Sequence, residues 1–178
     1  MNKPKRLSRE VIYKSDWVNV YADKVKFPAG RVIDRHHMIE FANEAVGVIV
    51  ENSRRELLFV HAYRYTLDTV EWEIVTGGID TGESIYEAAK REVFEESGYL
   101  THDHRLVYSF NPTNGISDQT FHIVTCRAGS SSSEFDRNEI KETKWFSRND
   151  VGQMINSKNI RDGFTLPAML LYLGGWVD

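Results

Sequence analysis

The 178-residue chain has one cysteine, Cys126, no long uninterrupted apolar run and no surplus of positive charge. A single thiol excludes an internal disulfide and any metal site built on paired cysteines, and it suits a reducing compartment. Cys126 itself is expected on a core strand. The longest uncharged stretch, Gly163 to Val177, is interrupted by Pro167 and falls short of the roughly 18–20 apolar residues that span a bilayer. No membrane partner is expected. The basic start, MNKPKRLSRE, has no apolar run behind it, so the expectation is no secretory signal and a cytoplasmic protein. With 22 Lys+Arg against 26 Asp+Glu the formal charge is −4, which argues against a nucleic-acid partner, because phosphate-backbone binding relies on clustered Lys and Arg. An anionic substrate would have to be neutralised by something else.

What is present is ample core material. At 41% hydrophobic residues a chain of this length can bury roughly 70% of the surface its unfolded form exposes. From Val11 to Arg64 apolar and polar residues alternate, with β-branched and aromatic types prominent. Turn signals stand at Lys14-Ser15-Asp16, Pro28-Ala29-Gly30 and Asn52-Ser53-Arg54. Strands are predicted near residues 10–14, 17–27, 31–41, 45–51, 56–63 and 71–75, joined as hairpins. Further strands are predicted near 105–110, 119–127 and 141–146, and helices near 148–157 and 165–173. The class is α+β, with helices packed on a mixed sheet. Gly129-Ser130-Ser131-Ser132-Ser133 is the one low-complexity stretch and reads as a flexible loop, either a plain connector or a lid. His102 and His104 flank Asp103 in an expected surface turn. Arg35, His36 and His37 alternate faces in a strand and make a poor metal site.

The informative segment is GGIDTGESIYEAAKREVFEESGYL, from Gly77 to Leu100. Ser84 with Glu87 forms a capping box at the start of a helix, Ile85, Ala88, Ala89 and Val93 recur at helical spacing, and Gly98 can take the left-handed conformation that ends it. Glu92 and Glu96 are then i,i+4 neighbours on one face, flanked by Glu95. Carboxylates so placed repel each other and sit at the negative end of the helix dipole. A hard divalent cation, Mg²⁺ or Mn²⁺, would relieve both conflicts. Arg91 can pair with Glu95, leaving Glu92 and Glu96 for metal. A solvated acidic helix face is the competing reading, and the glycine-rich entry loop weighs against it.

The spacing Gly77, five residues, Glu83, seven residues, then Arg91-Glu92-Val93-Phe94-Glu95-Glu96-Ser97-Gly98 resembles the Nudix hydrolase box. Eight of nine defined positions of the 23-residue motif fit; the ninth, usually aliphatic, is Tyr99, which should affect packing more than chemistry. The resemblance implies a Nudix fold, an α/β/α sandwich with a mixed sheet, and hydrolysis of a nucleoside diphosphate linked to another moiety. It also implies that Glu92 and Glu96 bind metal directly, that Glu95 binds metal or supports Arg91, and that Glu83 orients the site. The backbone carbonyl of Thr76 is a further implied ligand.

Outside the box, the β-rich N-terminal segment, Tyr63-Arg64-Tyr65 and Trp72-Glu73-Ile74 are similar to the ADP-ribose and nucleotide-sugar pyrophosphatase branch. That similarity implies an N-terminal strand region over 1–42, antiparallel and serving as a homodimerisation arm, and a Nudix domain over 43–178. It gives Arg64 a substrate phosphate, against the alternative of a surface arginine ending a strand; a guanidinium fork suits phosphate. Trp17 is the candidate to stack on the nucleobase, against a core or interface role. The segment Phe135-Asp136-Arg137-Asn138-Glu139-Ile140 occupies the place of a mobile catalytic loop, with Glu139 as candidate base and Glu142 as competitor. Members preferring ADP-ribose tend to carry a proline-glycine pair where this chain has Asn114-Gly115, and Gln119 stands where a glutamate is common. Broader use of GDP-mannose, ADP-glucose or UDP-glucose is therefore implied.

The implied reaction is Mg²⁺-assisted attack of water on one phosphorus, giving a nucleoside monophosphate and a sugar phosphate, with Arg64 steadying the phosphates and Glu139 taking the proton. Two competing readings are a nucleoside triphosphate or dinucleoside polyphosphate hydrolase with the same box, and a Nudix-fold sensor that binds a nucleotide without cleaving it. Intact Arg91, Glu92, Glu95 and Glu96 weigh against the sensor, since unused acids would only repel.

Overall fold

Alternating side chains in the first forty residues can bury only one face of each strand, so the strands must pair locally. In the computed structural model, which describes residues 2–132, 135 and 138–177, β1 (Lys5–Lys14), β2 (Val18–Lys26) and β3 (Val32–Phe41) form an antiparallel sheet in that order. Ser15 closes the first turn, its hydroxyl accepting the Val18 N–H at 3.0 Å, and Gly30 at φ 90° closes the second. Across β1 and β2, Arg9 donates two hydrogen bonds of 2.8 Å to the buried Asp23. The contact holds that carboxyl below the usual carboxylate range. Backbone contacts place the division between units after Glu44 and add Asn111–Thr120 to the N-terminal unit. There the Ile39 N–H donates to the Ile116 carbonyl at 2.7 Å, and the Phe41 N–H to Asp118 at 3.1 Å.

The second unit carries a seven-stranded sheet. Its strands are β4 (Ala45–Glu51), β5 (Leu57–Arg64), β6 (Thr69–Glu73), β7 (Val75–Gly78), β8 (Tyr99–Phe110), β9 (Phe121–Ser131) and β10 (Ile140–Phe146). The main order is β10-β5-β4-β9-β8, with β6 on β5 and β7 on β4. The β4–β9 pair is parallel and the others are antiparallel, so the sheet is mixed as expected.

Strand alternation then sorts the core into two layers. Val46, Val48 and Val50 of β4, Leu58, Val60 and Ala62 of β5, and Val124 and Cys126 of β9 pack with Ala88, Ala89 and Val93 of α1 (Ile85–Ser97). Residues of opposite parity, Ile49, Leu57, Phe59 and Ile123, pack with Val151 of α2 (Arg148–Asn156) and Ala168 and Met169 of α3 (Thr165–Leu173). This is the expected three-layer α/β/α sandwich. Each fully buried aliphatic side chain contributes about 1.5–3 kcal/mol, so the sheet rather than helix propensity fixes where α1 lies.

Two expectations change, and a third is made specific. Gly129, Ser130 and Ser131 belong to β9 and are no loop, because the ladder with β8 continues to Tyr99 opposite Ser131; Ser133 lies outside the described residues. His102, Asp103 and His104 lie within β8, where a register shift and φ 55° at Asp103 absorb the irregularity. Tyr99 packs edge-to-face on Trp145 and accepts its indole N–H at 3.1 Å, so the aromatic departure in the box has a specific partner. Among the described residues no helix is long and apolar enough to cross a membrane.

Candidate active site

The helix expected over the glutamates forms as its caps dictate. Ser84 and Glu87 exchange both capping-box bonds, and the Gly98 N–H, at φ 72°, donates to the Phe94 carbonyl at 2.8 Å. Ala88, Ala89 and Val93 anchor one side of α1 to the sheet, which leaves Arg91, Glu92, Glu95 and Glu96 on the side near β7.

Gly77 of β7 explains its own identity. A Cβ there would overlap the Glu92 carboxylate, so only glycine lets strand and acid approach so closely. Arg91 organises the loop: Nε and Nη2 donate to Glu83 at 3.0 and 2.8 Å, and Nη2 also donates to the Gly78 carbonyl at 2.8 Å. The contact with Glu83 raises Arg91 above its usual basicity and lowers Glu83 below the carboxylate range.

Arg91 was expected to pair with Glu95 and leave Glu92 free. It reaches Glu95 at 3.2 Å, yet its Nη1 also donates to Glu92 at 2.7 Å. The reason is burial: Glu92 is 12% exposed in its side chain against 53% for Glu95, so Glu92 has less water and more need of a donor. Burial raises the Glu92 carboxyl, with the Arg91 contact opposing. Glu96 goes further. Burial and then the neighbouring Glu92 carboxylate push it up to about 8, against Arg64 and a bond from the Thr76 backbone N–H.

The chemistry of this donor set fits a divalent cation. Among the described residues no three His, Cys, Asp or Glu side chains converge to hold a metal by themselves. Two carboxylates and a backbone oxygen remain, and Mg²⁺ is usually bound through one or two carboxylates plus waters and substrate phosphates. Glu92 shares its guanidinium, Arg91, with Glu83 and Glu95, so the partly desolvated pair Glu92 and Glu96 carries more acid than Arg91 offsets, and the Gly77 cradle keeps the strand backbone against Glu92.

Arg64, at the end of β5, lies in the same unit. Its Nε and Nη2 donate to the same Glu73 oxygen at 2.9 and 2.5 Å, and Nη2 reaches the Thr76 hydroxyl at 3.3 Å. Its charge acts on Glu96. Glu139, exposed just before β10, also acts on Glu96, and its carbonyl accepts the Tyr63 N–H at 3.1 Å. Glu142, the competing base, instead faces His61 at 3.2 Å, whose ring stacks on Trp72 at 4.4 Å. Trp17 belongs to the N-terminal unit, in the turn after β1, and is 79% exposed. Asp136 and Arg137 of the expected catalytic loop lie outside the described residues.

Glu73 is the residue that sequence reasoning passed over. It is 2% exposed, and burial raises its carboxyl while the Arg64 hydrogen bonds pull it back. The available signal was an acid in the apolar run from Trp72 to Val75, on the strand that pairs with the one ending in Arg64.

The NUDIX domain model matches residues 42–166, and the model of the nucleoside diphosphate sugar hydrolase N-terminal domain matches residues 4–38. A CMP-5'-(N-acetyl-N-hydroxy-3-aminopropyl)phosphonate hydrolase of Streptomyces rubellomurinus is 26% identical over 165 residues, covering 92% of this chain and 79% of the relative. An ADP-ribose pyrophosphatase of Bacillus subtilis is 24% identical over 168 residues, covering 93% and 90%. A crystal structure of an ADP compounds hydrolase superposes with TM-score 0.84 at 23% identity over 98% of this chain and 96% of that one, a likeness of fold.

Proposed function

The chain belongs to the Nudix family, and from that premise we propose that it hydrolyses the pyrophosphate bond of nucleoside diphosphate sugars, of ADP-ribose, GDP-mannose, ADP-glucose or UDP-glucose type, with Mg²⁺. The carrying observation is the partly desolvated pair Glu92 and Glu96, Glu92 held against Gly77, with one guanidinium, Arg91, facing more carboxylates than it can neutralise. The N-terminal family match and the name of the Bacillus subtilis relative support the diphosphate-sugar class.

Glu92, Glu96 and the Thr76 carbonyl would hold the cation, with Mn²⁺ as its substitute. When bound it supplies charge neutralisation on the pyrophosphate and a lowered pKa for an attacking water. Glu83 and the Gly78 carbonyl fix Arg91, and Arg91 with Glu95 keeps the turn before the helix against its acidic face. Arg64 binds a phosphate oxygen through N–H groups that Glu73 leaves open. Glu139 takes the proton from water; its loop position and its influence on Glu96 favour it over Glu142, which is occupied by His61. Trp17 offers the nucleobase a π-face. A homodimer through the N-terminal strands completes the reading, supported by the exposed apolar side chains Leu7, Val11, Ile12 and Tyr13 on β1.

Product analysis tests it. Incubation with Mg²⁺ and a panel of ADP-ribose, GDP-mannose, UDP-glucose, diadenosine polyphosphates and nucleoside triphosphates should release monophosphate and sugar phosphate from the sugars. Turnover of triphosphates or dinucleotides alone moves the protein to another branch. Nucleotide binding with no products identifies a sensor.

A further inference from the structure

Arg64 has three edges through which a guanidinium can bind, and one of them is already used. Its Nε and Nη2 both donate to one oxygen of Glu73, at 2.9 and 2.5 Å, and Nη2 contacts the Thr76 hydroxyl at 3.3 Å. Nη1 has no partner among the described residues. The arginine side chain is 34% exposed, so the unbound side meets solvent while the bound side is sealed by a carboxylate that is 3% exposed in its own side chain. An isolated carboxylate at that depth is costly, and a single-anion pair on the surface would not need it there.

The neighbourhood fixes Glu73 further. It sits on β6 opposite Val60 of β5. The next residue, Ile74, donates its buried N–H to the Thr165 hydroxyl at 3.0 Å, and that hydroxyl donates to Asp162 at 2.8 Å. Asp162 also accepts the Phe164 and Thr165 N–H groups at the start of α3. The strand that carries Glu73 is thus pinned to a helix start by a chain of hydrogen bonds. A flexible arginine losing rotamer freedom on binding a phosphate would weaken that binding, and a guanidinium locked in advance avoids the loss.

We propose that Glu73 is a positioning residue that locks Arg64 by its Nε–Nη2 edge and so presents Nη1 to the substrate pyrophosphate. This rests on the reading of the site given above. It assigns Arg64 end-on contact with phosphate rather than a side-on fork, because the side-on edge belongs to Glu73. Glu73 never touches substrate; its effect passes wholly through Arg64.

The test is a double-mutant cycle on Glu73→Gln and Arg64→Ala, read by KM and kcat for the best substrate and by binding of an α,β-methylene analogue of ADP-ribose and of inorganic pyrophosphate. Glu73→Gln should raise KM about tenfold with kcat within about threefold, weaken analogue and pyrophosphate binding by the same factor, and add nothing in the Arg64→Ala background. Glu73→Leu, which keeps volume and removes the polar group, should do the same if Glu73→Gln does not fold. Unchanged binding, or an effect that adds fully to that of Arg64→Ala, overturns the proposal. If wild type cleaves no nucleotide sugar, the functional reading fails; the binding measurements still decide the role of Glu73, and wild type that binds neither probe overturns it.

Discussion

Two ion-pair clusters in the second unit are near mirror images in charge. At the box, one guanidinium, Arg91, is shared by Glu83, Glu92 and Glu95, with Glu96 beside them. At the far end of β4, the buried carboxylate of Glu51 is shared by Arg55 at 3.0 Å, Arg127, and the Tyr172 hydroxyl at 2.6 Å. The second cluster meets its acid with donors in excess and needs nothing more. The first leaves acids over, and Glu96, pushed up to about 8 by burial and Glu92, reports the deficit. A network whose buried acid meets all the donors it needs is satisfied within the protein; one that leaves acids over calls for a positive partner from outside.

The largest expected effect breaks that comparison at its unbalanced end. Glu92→Gln or Glu96→Gln should lower kcat at saturating Mg²⁺ by at least about 10²-fold, the loss typical when a group stabilising developing charge is removed. The thermal midpoint of the metal-free protein should stay level or rise, because an amide is cheaper to bury than the carboxyl it replaces and does not repel the neighbouring acid. Wild type should gain stability on Mg²⁺ addition, about 2.7 kcal/mol at a hundred times the dissociation constant, and the variants should lose that gain. Scanning calorimetry with and without Mg²⁺, beside steady-state kinetics, measures all three; near-normal turnover in either variant overturns the proposed assignment of metal to that glutamate.

Glu51→Ala should show the opposite signature. Arg55 and Arg127 can turn to solvent, so the cost is that of a charge-assisted hydrogen-bond set, about 1–3 kcal/mol, seen as a lowered midpoint. Turnover should stay within about twofold. A loss of turnover with an unchanged midpoint would show that the cluster at the end of β4 is functional.

How much of this the sequence carried depends on whether the signal was local. The capping box at Ser84, the glycine at 98 and the alternation of β4 and β5 are local, and the corresponding elements form where expected. The ladder between β8 and β9 is not local: it draws Gly129 to Ser131 into a strand and turns the expected His102–His104 turn into an irregular strand, since cross-strand pairing outweighs loop-forming composition. Within the site, spacing put Glu92 and Glu96 on one helix face, but the choice of Arg91 for Glu92 as well as Glu95 follows from burial, which spacing does not encode. Glu73 was hidden for the same reason. Its meaning comes from Arg64 across a hairpin and from the depth at which the pair lies.

The smallest effect sharpens the comparison with a reporter already in the chain. Cys126 precedes Arg127 on β9 and borders the cavity with Glu51, Arg55, Arg127 and Tyr172 while packing in the layer under α1, and burial pushes its thiol up to about 12, against a bond from Thr101. The reactive species is the thiolate, so at pH 8 the folded protein should react with a disulfide reagent only through local opening, while the unfolded chain reacts as an ordinary thiol. Glu51→Ala loosens that cluster and should speed labelling severalfold under native conditions. Glu96→Gln, at the other end of the unit, should leave the rate where it was. Equal acceleration by both substitutions would mean that Cys126 is exposed by global unfolding and that the two clusters share one cooperative unit; acceleration by Glu51→Ala alone would mean that the balanced cluster opens independently of the site.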